Sequence, residues 1–366
     1  MSRRKPQKTV LKRIEIFGRK LLMKFFALLQ PNTTFDYLPD DAKRDKILLM
    51  RQDKLGDMAV TLPYFRALKR ALPKSSITIL ASKQNAILIK YEQSFGKIIY
   101  DKNPLKFIKS LWQVFRFHPD VVVDLQLKES ATSTIYVLVS RARWRIRAQR
   151  NIKLPYNIYV DIGGDWHISE EMQKLLGTVA PLDIDSVPGE VVISEAETAF
   201  AIKYFSSGVI PDMKSRRVGL NISAGKPERM LTTNEYIEIC RGIIQRGFKP
   251  IILYSPGDNG VARQISHIVK GAIIGPETAT VLEVISLLPK LHILITPDTA
   301  MVHFASAMKV PVLALYTAND WNCNRWLPKS VPYRFCQSAD YDTMEGIDIQ
   351  QVLNKFDELV GEIREK

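Results

Sequence analysis

The sequence predicts an α/β protein built from two successive, doubly wound parallel sheets. Short apolar runs alternate with segments of helical periodicity almost throughout the chain, an alternation typical of βαβ units. The rhythm stops between about residues 150 and 215, which are rich in Pro, Gly and Asp, and then begins again. A length of 366 residues also favours two domains over a single hydrophobic core.

The first half of the chain supplies one sheet. Each predicted strand is a short apolar run bounded by polar residues; these runs are 46–50, 76–81, 97–100, 120–126 and 143–148. Apolar residues at three- and four-residue steps predict helices between the strands, at 58–72 and 104–118.

The second half repeats this organisation. Its predicted strands are 217–223, 249–255, 272–275, 292–296 and 310–317. Its predicted helices are 233–247, 260–270, 280–290, 299–309 and a final amphipathic helix at about 348–366. Because doubly wound sheets bind ligands at the carboxyl ends of their strands, two such sheets predict binding loops that face a shared cleft.

Composition and charge narrow the class of partner. Hydrophobic residues make up 46% of the chain and charged residues 25%, as in ordinary globular proteins. The formal net charge of +14 predicts an anionic partner, such as nucleic acid, a phosphorylated glycolipid, a membrane surface or a nucleotide. Three cysteines without a C-x-x-C pair argue against a disulfide framework or a zinc site and favour a reducing compartment.

The N-terminus concentrates this charge. Residues 1–30 contain nine Lys or Arg against one acid, Glu15. Their apolar residues recur at helical spacing and form one stripe: Val10, Ile14, Phe17, Leu21, Phe25 and Leu28. The segment is too interrupted by charge to span a bilayer and lacks the features of a signal peptide. Two interpretations stay open, an interfacial helix on an anionic leaflet and a helix packed on its own domain.

Polar and small residues follow the predicted strands where a cleft would use them. Gly56-Asp57 follows the first strand, and Pro297-Asp298-Thr299 separates a buried strand from a helix. Asp298 or Thr299 can cap that helix, whose N-terminal N–H groups and dipole favour an anion such as phosphate. A plain helix cap is the alternative.

Two segments resemble the motifs of glycosyltransferase family 9, the ADP-heptose:lipopolysaccharide heptosyltransferases. The stretch "ILLMRQDKLGDMAVTLPYFRALKRALPKSSITIL" is similar to the family's N-terminal motif of strand, Arg, Gly-Asp and Leu-Pro. The stretch "ITPDTAMVHFASAMKVPVLALYTANDWNCNRWLP" is similar to the C-terminal motif, with Asp-Thr, His and a late Trp-x-Pro. The two lie in the right order about 240 residues apart, and the resemblance runs from about 46 to 330.

The resemblance implies a GT-B fold, in which two Rossmann-like domains face each other, and an inverting transfer that needs no metal and no cofactor. The acceptor would bind to the first domain and the nucleotide sugar to the second. We therefore predict a basic amphipathic extension (1–45), an acceptor domain (46–185), a nucleotide-sugar domain (186–345) and a C-terminal helix (346–366).

On the acceptor side, Asp57 resembles the family's catalytic base. A single-displacement transfer needs one carboxylate to take the proton of the acceptor hydroxyl as its oxygen attacks the anomeric carbon. Gly56 would let the backbone turn and the acceptor come near. The alternative is that Asp57 only caps the next helix.

On the donor side, Asp298, Thr299 and Ala300 match the family's Asp-Thr-Gly turn, which holds the diphosphate and sugar. Ala300 replaces Gly, and its methyl group would disfavour a positive φ and narrow the approach. His303 matches the motif's histidine and would contact the diphosphate or brace the loop, with bracing preferred.

Three further residues match donor-side positions. The family places a basic residue before Trp-Pro after the first strand of the second domain, where this chain has Met230-Leu231, and Lys226 and Arg229 are both candidates. Asp258 lies where an acid can bind the nucleotide ribose, although a turn residue would serve equally well there.

The run "RARWRIRAQR" contains Arg141, Arg143, Arg145 and Arg147 at alternate positions. As a strand it would place four guanidinium groups on one face. Since Arg binds phosphate bidentately, we predict that Arg141, Arg143 and Arg145 contact a phosphorylated acceptor. The alternative is an ordinary solvated edge strand.

Together these features predict a glycosyltransferase that moves a heptose or related sugar from a nucleotide-sugar donor to a phosphorylated lipopolysaccharide or lipooligosaccharide core. The preferred candidate donor is ADP-heptose. We expect the enzyme at the cytoplasmic face of the bacterial inner membrane, as a peripheral protein on the anionic surface. One alternative is a GT-B sugar-nucleotide epimerase, which lacks this pair of motifs. Another is a non-enzymatic basic nucleic-acid-binding protein, but no recognised RNA or DNA module is present, so nucleic acid is not expected as a partner.

Two other enzyme classes are disfavoured. The G-x-G-x-x-G pattern of NAD enzymes is missing after the first strand. The acidic runs 183–185 and 340–342 do not follow buried strands, which argues against a metal-dependent transferase.

Overall fold

The computed structural model describes residues 18, 21, 22, 24–26, 28, 29 and 33–365, apart from 127, 150–154, 165 and 209–215. Val10, Ile14 and Phe17 of the predicted N-terminal stripe lie outside the described residues.

The first sheet contains six strands: β1 (Lys46–Arg51), β2 (Ser76–Ser82), β3 (Gly96–Tyr100), β4 (Val121–Asp124), β5 (Trp144–Ala148) and β6 (Ile158–Val160). Its helices are α1 (Leu55–Ala71), α2 (Pro104–Phe117), α3 (Ala131–Ser140) and α4 (Ile168–Gly177). The strands lie in the order β3-β2-β1-β4-β5-β6, and each neighbouring pair is parallel.

The second sheet also contains six strands: β7 (Arg217–Asn221), β8 (Lys249–Leu253), β9 (Ile273–Ile274), β10 (Ile293–Pro297), β11 (Val312–Tyr316) and β12 (Tyr333–Gln337). Its helices are α5 (Glu195–Phe205), α6 (Thr233–Gln245), α7 (Asn259–Ile268), α8 (Val281–Leu287), α9 (Ala300–Ala307), α10 (Asp320–Trp326) and α11 (Ile349–Glu365). The order is β12-β11-β10-β7-β8-β9, which repeats the first sheet's order strand for strand.

The predicted pair of doubly wound parallel sheets is therefore confirmed. Both sheets reverse their strand order at one point, between β1 and β4 and between β7 and β10. The structure adds elements that the sequence patterns did not predict, namely β6, β12, α3, α4, α5 and α10.

The two sheets are joined by one buried cluster. Helix α1 packs directly on helix α9. Met58 and Leu62 of α1 belong to the same cluster of buried side chains as Met301 and Phe304 of α9. The side of the first sheet that carries α1 therefore faces the second domain.

The opposite side of the first sheet is covered by α2, α3 and the N-terminal segment. Leu48 and Met50 of β1 point to this side and pack in one cluster with Val114 of α2 and Tyr136 of α3. Phe26 enters the same cluster and is 4% exposed. Its apolar neighbours remain exposed: Leu21, Leu22, Phe25, Leu28 and Leu29.

The C-terminal helix α11 packs on the second domain. The rings of Phe356 and Phe248 lie 5.0 Å apart, and Arg246 donates to both carboxylate oxygens of Asp357 at 2.7 and 2.8 Å. Among the helices that the structure describes, none is both long enough and apolar enough to cross a bilayer.

Candidate active site

The candidate site lies at the carboxyl edges of the two sheets, where each strand order reverses. Open α/β sheets bind ligands outside the strand ends at such points. Asp57 follows β1, and the Asp298-Thr299 turn follows β10. Both predicted motifs therefore occupy the reversal points of their sheets.

Arg51, the last residue of β1, organises the loop that leads to Asp57. Its side chain is fully buried. Nε and Nη2 donate to the Asp57 carbonyl oxygen at 3.2 and 3.1 Å, while Nη1 donates to Asp53 Oδ2 at 3.1 Å and to the Leu125 carbonyl oxygen just beyond β4. One guanidinium group thus ties together both sides of the first reversal point.

Asp57 lies in the first turn of α1 and is 6% exposed. Oδ2 accepts the backbone N–H of Lys54 at 3.1 Å, which caps the helix. Oδ1 lies 3.6 Å from Nη2 of Arg51 and has no hydrogen-bond partner within the described part of the chain. One oxygen therefore performs the capping that the sequence left open as an alternative, while the other is buried beside Arg51 without a hydrogen bond. The role of general base stays a prediction.

Asp53 is a second carboxylate at this point, which sequence reasoning passed over. Burial raises its pKa to about 7, against the lowering influence of Arg51, and the neighbouring Asp57 raises it further. Its Oδ1 is buried without a hydrogen-bond partner among the described residues. The residue stands inside the quoted motif, but its unusual protonation arises from burial, which the motif does not encode.

Gly56 contacts the second domain. A Cβ at this position would lie 2.8 Å from Cδ2 of His303 and 3.4 Å from Cα of Ala300. The predicted need for a turn at Gly56 is wrong, because the residue lies within α1 and its φ is not positive. Its lack of a side chain lets α1 and α9 approach; an acceptor contact at Gly56 stays a prediction.

His303 is buried between the domains. Its ring lies 5.3 Å from that of Trp326. Burial lowers its pKa to about 4, against the raising influence of Asp298. The imidazole is therefore neutral at pH 7 and packs against Gly56 and Trp326. Bracing of the loop and contact with the diphosphate both stay predictions.

The donor-side turn is held by a charged pair. Nη1 of Arg229 donates to Asp298 Oδ2 at 2.6 Å and to the Asp298 carbonyl oxygen at 3.3 Å. Asn322 Nδ2 donates to the same carboxylate oxygen at 2.8 Å. Lys226, by contrast, is exposed at the start of the short turn Pro227–Arg229. The structure therefore brings Arg229, rather than Lys226, to the predicted turn.

Thr299 caps helix α9, and its side-chain oxygen accepts the backbone N–H of Met301 at 3.2 Å. Ala300 is the first residue of that helix, and it is not among the residues with positive φ. The methyl group in place of the family's glycine therefore causes no backbone strain here, and a narrower approach for the donor stays a prediction.

Asp258 braces a neighbouring loop. Its carboxylate accepts the hydroxyl of Ser223, which in turn accepts the backbone N–H of Ser255 at 2.7 Å. The contact links the loops after β7 and β8. A ribose contact at Asp258 stays a prediction.

The predicted arginine strand is only partly correct. The strand covers Trp144–Ala148, so Arg141 and Arg143 lie outside it and four guanidinium groups do not share a strand face. Arg141 ends α3 with φ 55° and lies with Cζ 4.4 Å from the ring centroid of Phe115. Because α3 returns to the amino edge of the sheet, Arg141 and Arg143 lie opposite the edge that carries Asp57.

The other two arginines point into the protein. Arg145 is half-buried, and burial lowers its pKa. Arg147 is 1% exposed, with Cζ 4.9 Å from the ring centroid of Tyr156. A solvated strand face is thus wrong for both, and acceptor binding by Arg141, Arg143 and Arg145 stays a prediction.

Polar contacts also join the two domains next to the candidate site. Arg325 of α10 pairs with Glu171 of α4, and its Nη1 donates to the Trp166 carbonyl oxygen at 3.3 Å. Nε2 of His167 lies 2.8 Å from the carbonyl oxygen of Leu327. Arg325 and Glu171 are 7% and 1% exposed, so this pair is buried between the two domains.

Among the described residues, no group of three or more His, Cys, Asp or Glu side chains could hold a metal ion. A groove of about 880 Å³ lies at the edge strand β12 rather than at the reversal points. Its Arg334 is paired with Glu358 and Glu362 at 3.0 and 2.8 Å. The groove is thus spatially separate from the candidate site.

Comparison with known families identifies the architecture. The sequence profile of glycosyltransferase family 9 (heptosyltransferase) matches residues 109–355. The match begins after Asp57, so it covers the donor-side motif but leaves out the acceptor-side one. No curated protein sequence matches the chain.

Solved structures match over most of the chain. A glycosyltransferase of family 9 from Veillonella parvula has a TM-score of 0.75 at 18% identity, over 90% of this chain and 100% of that one. The E. coli ADP-heptose lipopolysaccharide heptosyltransferase II has a TM-score of 0.67 at 16% identity, over 87% and 99%. The E. coli heptosyltransferase WaaC, solved with ADP, has a TM-score of 0.63 at 14% identity, over 87% and 98%. The implied GT-B fold is confirmed.

Proposed function

This chain belongs to glycosyltransferase family 9, and from that membership we propose that it transfers a heptose, or a related sugar, from a nucleotide-sugar donor to a lipopolysaccharide or lipooligosaccharide core. ADP-heptose is the first candidate donor, since neighbouring structures are described with ADP or as ADP-heptose enzymes. The observation that carries the proposal is the position of Asp57 and Asp298 at the two reversal points, joined by the contact of Gly56 with His303.

In the proposed reaction, Asp57 is the general base. Its Oδ1, which accepts no hydrogen bond from the described residues, takes the proton of the acceptor hydroxyl while that oxygen attacks the anomeric carbon. The bond to the diphosphate breaks on the opposite face, and its electron pair leaves with the diphosphate. The configuration at the anomeric carbon is inverted.

The departing diphosphate is stabilised by positive potential from the second domain. Arg229 is held at the Asp298 turn, and Lys226 is exposed three residues before it in the chain. The N-terminus of α9, beginning after Thr299, adds its unpaired N–H groups and helix dipole. These groups supply the stabilisation that a metal ion would otherwise give.

The acceptor in this proposal is a phosphorylated glycolipid, so the protein works at the cytoplasmic face of an anionic membrane. Nine cations in the first thirty residues support attraction to such a surface. The exposed Leu21, Phe25 and Leu28 of the described N-terminal segment support an interfacial helix anchored by Phe26.

A donor screen tests the proposal. The purified chain is incubated with ADP-heptose, UDP-sugars or GDP-sugars and lipopolysaccharide from strains with truncated cores, and sugar addition is measured by mass spectrometry. We expect transfer from ADP-heptose to one core length. Transfer from a UDP- or GDP-sugar alone would assign a different donor, and epimerisation of a free nucleotide sugar without transfer would overturn the proposal.

A further inference from the structure

Helix α2 carries an apolar stripe that faces solvent. Leu105, Ile108, Trp112 and Phe115 recur at steps of three and four residues, and their exposed fractions are 79%, 61%, 58% and 45%. The stripe is distinct from the side of α2 that packs on the sheet through Val114. A helix at a protein surface normally presents polar residues outward, so a contiguous exposed apolar stripe indicates a contact surface.

The surroundings of the stripe are cationic. Helix α2 itself contains no acid and three basic residues, Lys106, Lys109 and Arg116, and Lys102 precedes it. Lys106 lies 3.6 Å from the carboxylate of Asp101, so Lys109 and Arg116 carry most of the unbalanced charge of the helix. Two guanidinium groups lie against the exposed aromatic rings themselves. Arg116 Cζ lies 5.5 Å from the Trp112 ring centroid, and Arg141 Cζ lies 4.4 Å from that of Phe115.

A second exposed apolar set lies on the same side of the molecule. Phe26 packs in one cluster with Phe107, Leu111 and Val114 of α2, so the N-terminal segment covers the same side of the first sheet as α2. Leu21, Phe25 and Leu28 of that segment are 61%, 54% and 82% exposed. Both sets lie on the side of the sheet away from the second domain.

We propose that the α2 stripe, with Lys109, Arg116 and Arg141 beside it, is a docking surface for an anionic lipid bilayer. Apolar side chains flanked by an excess of cations match the acyl–headgroup boundary of such a bilayer. Aromatic rings such as Trp112 favour that boundary, where one part of the ring is wet and the other is not. The charge complementarity favours a lipid surface over a protein partner, whose surface would carry both signs of charge.

This docking surface goes beyond the transfer reaction and beyond residues 1–30. It assigns Arg141 to lipid headgroups at the amino edge of the first sheet, opposite the edge that carries Asp57. It also orients the molecule, because a bilayer on this side leaves the second domain facing the cytosol and free to exchange nucleotide sugars.

Binding of the full-length chain to vesicles tests the proposal without any donor or acceptor. Vesicles of phosphatidylcholine with phosphatidylglycerol are compared with vesicles of phosphatidylcholine alone. The variant Leu105→Ser/Trp112→Ser removes half of the stripe. The matched control Ile202→Ser/Ile268→Ser removes two exposed apolar side chains, 49% and 42% exposed, from the second domain. We expect the partition coefficient on anionic vesicles to fall at least about tenfold in the stripe variant and less than about twofold in the control.

A charge-reversal variant gives an independent measurement. Lys109→Glu/Arg116→Glu should lower the preference for anionic over neutral vesicles, although the cations of residues 1–30 will keep part of it. Lys270→Glu/Lys290→Glu, which changes the net charge equally at exposed positions of the second domain, should keep most of it. Tryptophan emission provides a third test, since vesicles should shift it to shorter wavelength in the wild type and not in Trp112→Phe.

Three results would overturn the docking surface. Vesicle binding of both variants equal to that of their controls would show that α2 does not touch lipid. A wild-type dimer that the stripe variant converts to monomer would assign the stripe to contact between copies of the chain. If the second-domain control variants lost binding to both neutral and anionic vesicles, the lipid-binding surface would lie on the second domain and not on α2. Because no sugar transfer is measured, these outcomes are separate from failure of the proposed reaction, which the donor screen reports.

Discussion

Gly56 and His303 are in contact across the two domains, with room for a hydrogen but not for a methyl group. A Cβ at Gly56 would lie 2.8 Å from Cδ2 of the imidazole. The glycine before Asp57 therefore allows α1 of the first domain to approach α9 of the second this closely. The positions of Asp57 and of the Asp298 turn both depend on this approach.

Gly56→Ala should separate the two helices or destabilise their closed arrangement. We expect a loss of about 1–3 kcal/mol in the free energy of unfolding, since overpacking a buried contact has this cost. Gly361→Ala is the matched control, because a Cβ there meets nothing within 4 Å, and it should stabilise α11 slightly. Urea denaturation measures both, and a double variant with His303→Ala should recover part of the loss. Equal behaviour of the two glycine variants would contradict this account.

Asp57→Asn should abolish transfer while donor binding is retained. Removing a general base lowers the rate roughly 100- to 10,000-fold. The amide oxygen of Asn can still accept the Lys54 N–H, but the variant removes a carboxylate charge beside the buried Arg51, so we expect a lower thermal unfolding temperature as well. Turnover and ADP binding are measured on the same preparation. A turnover within about threefold of wild type would remove Asp57 from the role of base.

Arg229→Ala should weaken donor binding more than Lys226→Ala does. Loss of the guanidinium removes a cation and leaves the Asp298 carboxylate with Asn322 as its remaining described donor. The affinity for ADP should fall about 10- to 100-fold, the range for a hydrogen bond to a charged group. Calorimetric titration with ADP measures the affinity of both variants. A larger loss of affinity in Lys226→Ala would assign the diphosphate contact to Lys226 instead of Arg229.

Transfer activity should survive treatment with EDTA. The proposed mechanism stabilises the leaving diphosphate with Arg229, Lys226 and the N-terminus of α9. Initial rates before and after chelation should agree within about twofold, and Mg²⁺ should not restore the Arg229→Ala/Lys226→Ala variant. If chelation stops the wild-type reaction and Mg²⁺ restores it, a metal rather than these groups supports the leaving group.

Asp53 should make the fold sensitive to pH. Its pKa in the folded state is about 7, above the ordinary value of an aspartate, so the folded protein favours the protonated form. This contribution to stability is fully present below about pH 4 and is lost as the pH rises towards 7. We expect it to be about 1–2 kcal/mol, because the side chain retains 21% exposure. Between pH 4.5 and 8, urea denaturation should show a falling free energy of unfolding for the wild type and a smaller fall for Asp53→Asn. The same dependence on pH in both proteins would refute this role of Asp53.

The sequence predicts the architecture well because each buried parallel strand is a compact apolar run. It misses β6 and β12 because both are edge strands, the first only three residues long and the second half exposed along most of its length. It leaves α3 unassigned because Thr, Ile and Val give "ATSTIYVLVS" the composition of a strand. The Ser130 cap and the crossover between two parallel strands override that propensity.

The site is predictable only as far as local motifs reach. Asp57 and Thr299 are placed by the strand–helix junctions that the sequence displays. The contact of Gly56 with His303 joins residues far apart in the chain, and no local pattern encodes it. Arg141 and Arg143 were misplaced because alternation along a strand says nothing about which edge of the sheet its first residues occupy.

The buried cluster that joins α1 to α9 has a consequence for folding. Met58 and Leu62 are buried in one cluster with Met301 and Phe304, and Glu171 forms an ion pair with Arg325. A half-chain cut between the sheets would expose this apolar surface to water and remove the pairing of Glu171 with Arg325. Although two domains are visible by topology, this shared core couples them, and we expect the separated halves to be less stable and more prone to aggregate than the whole chain.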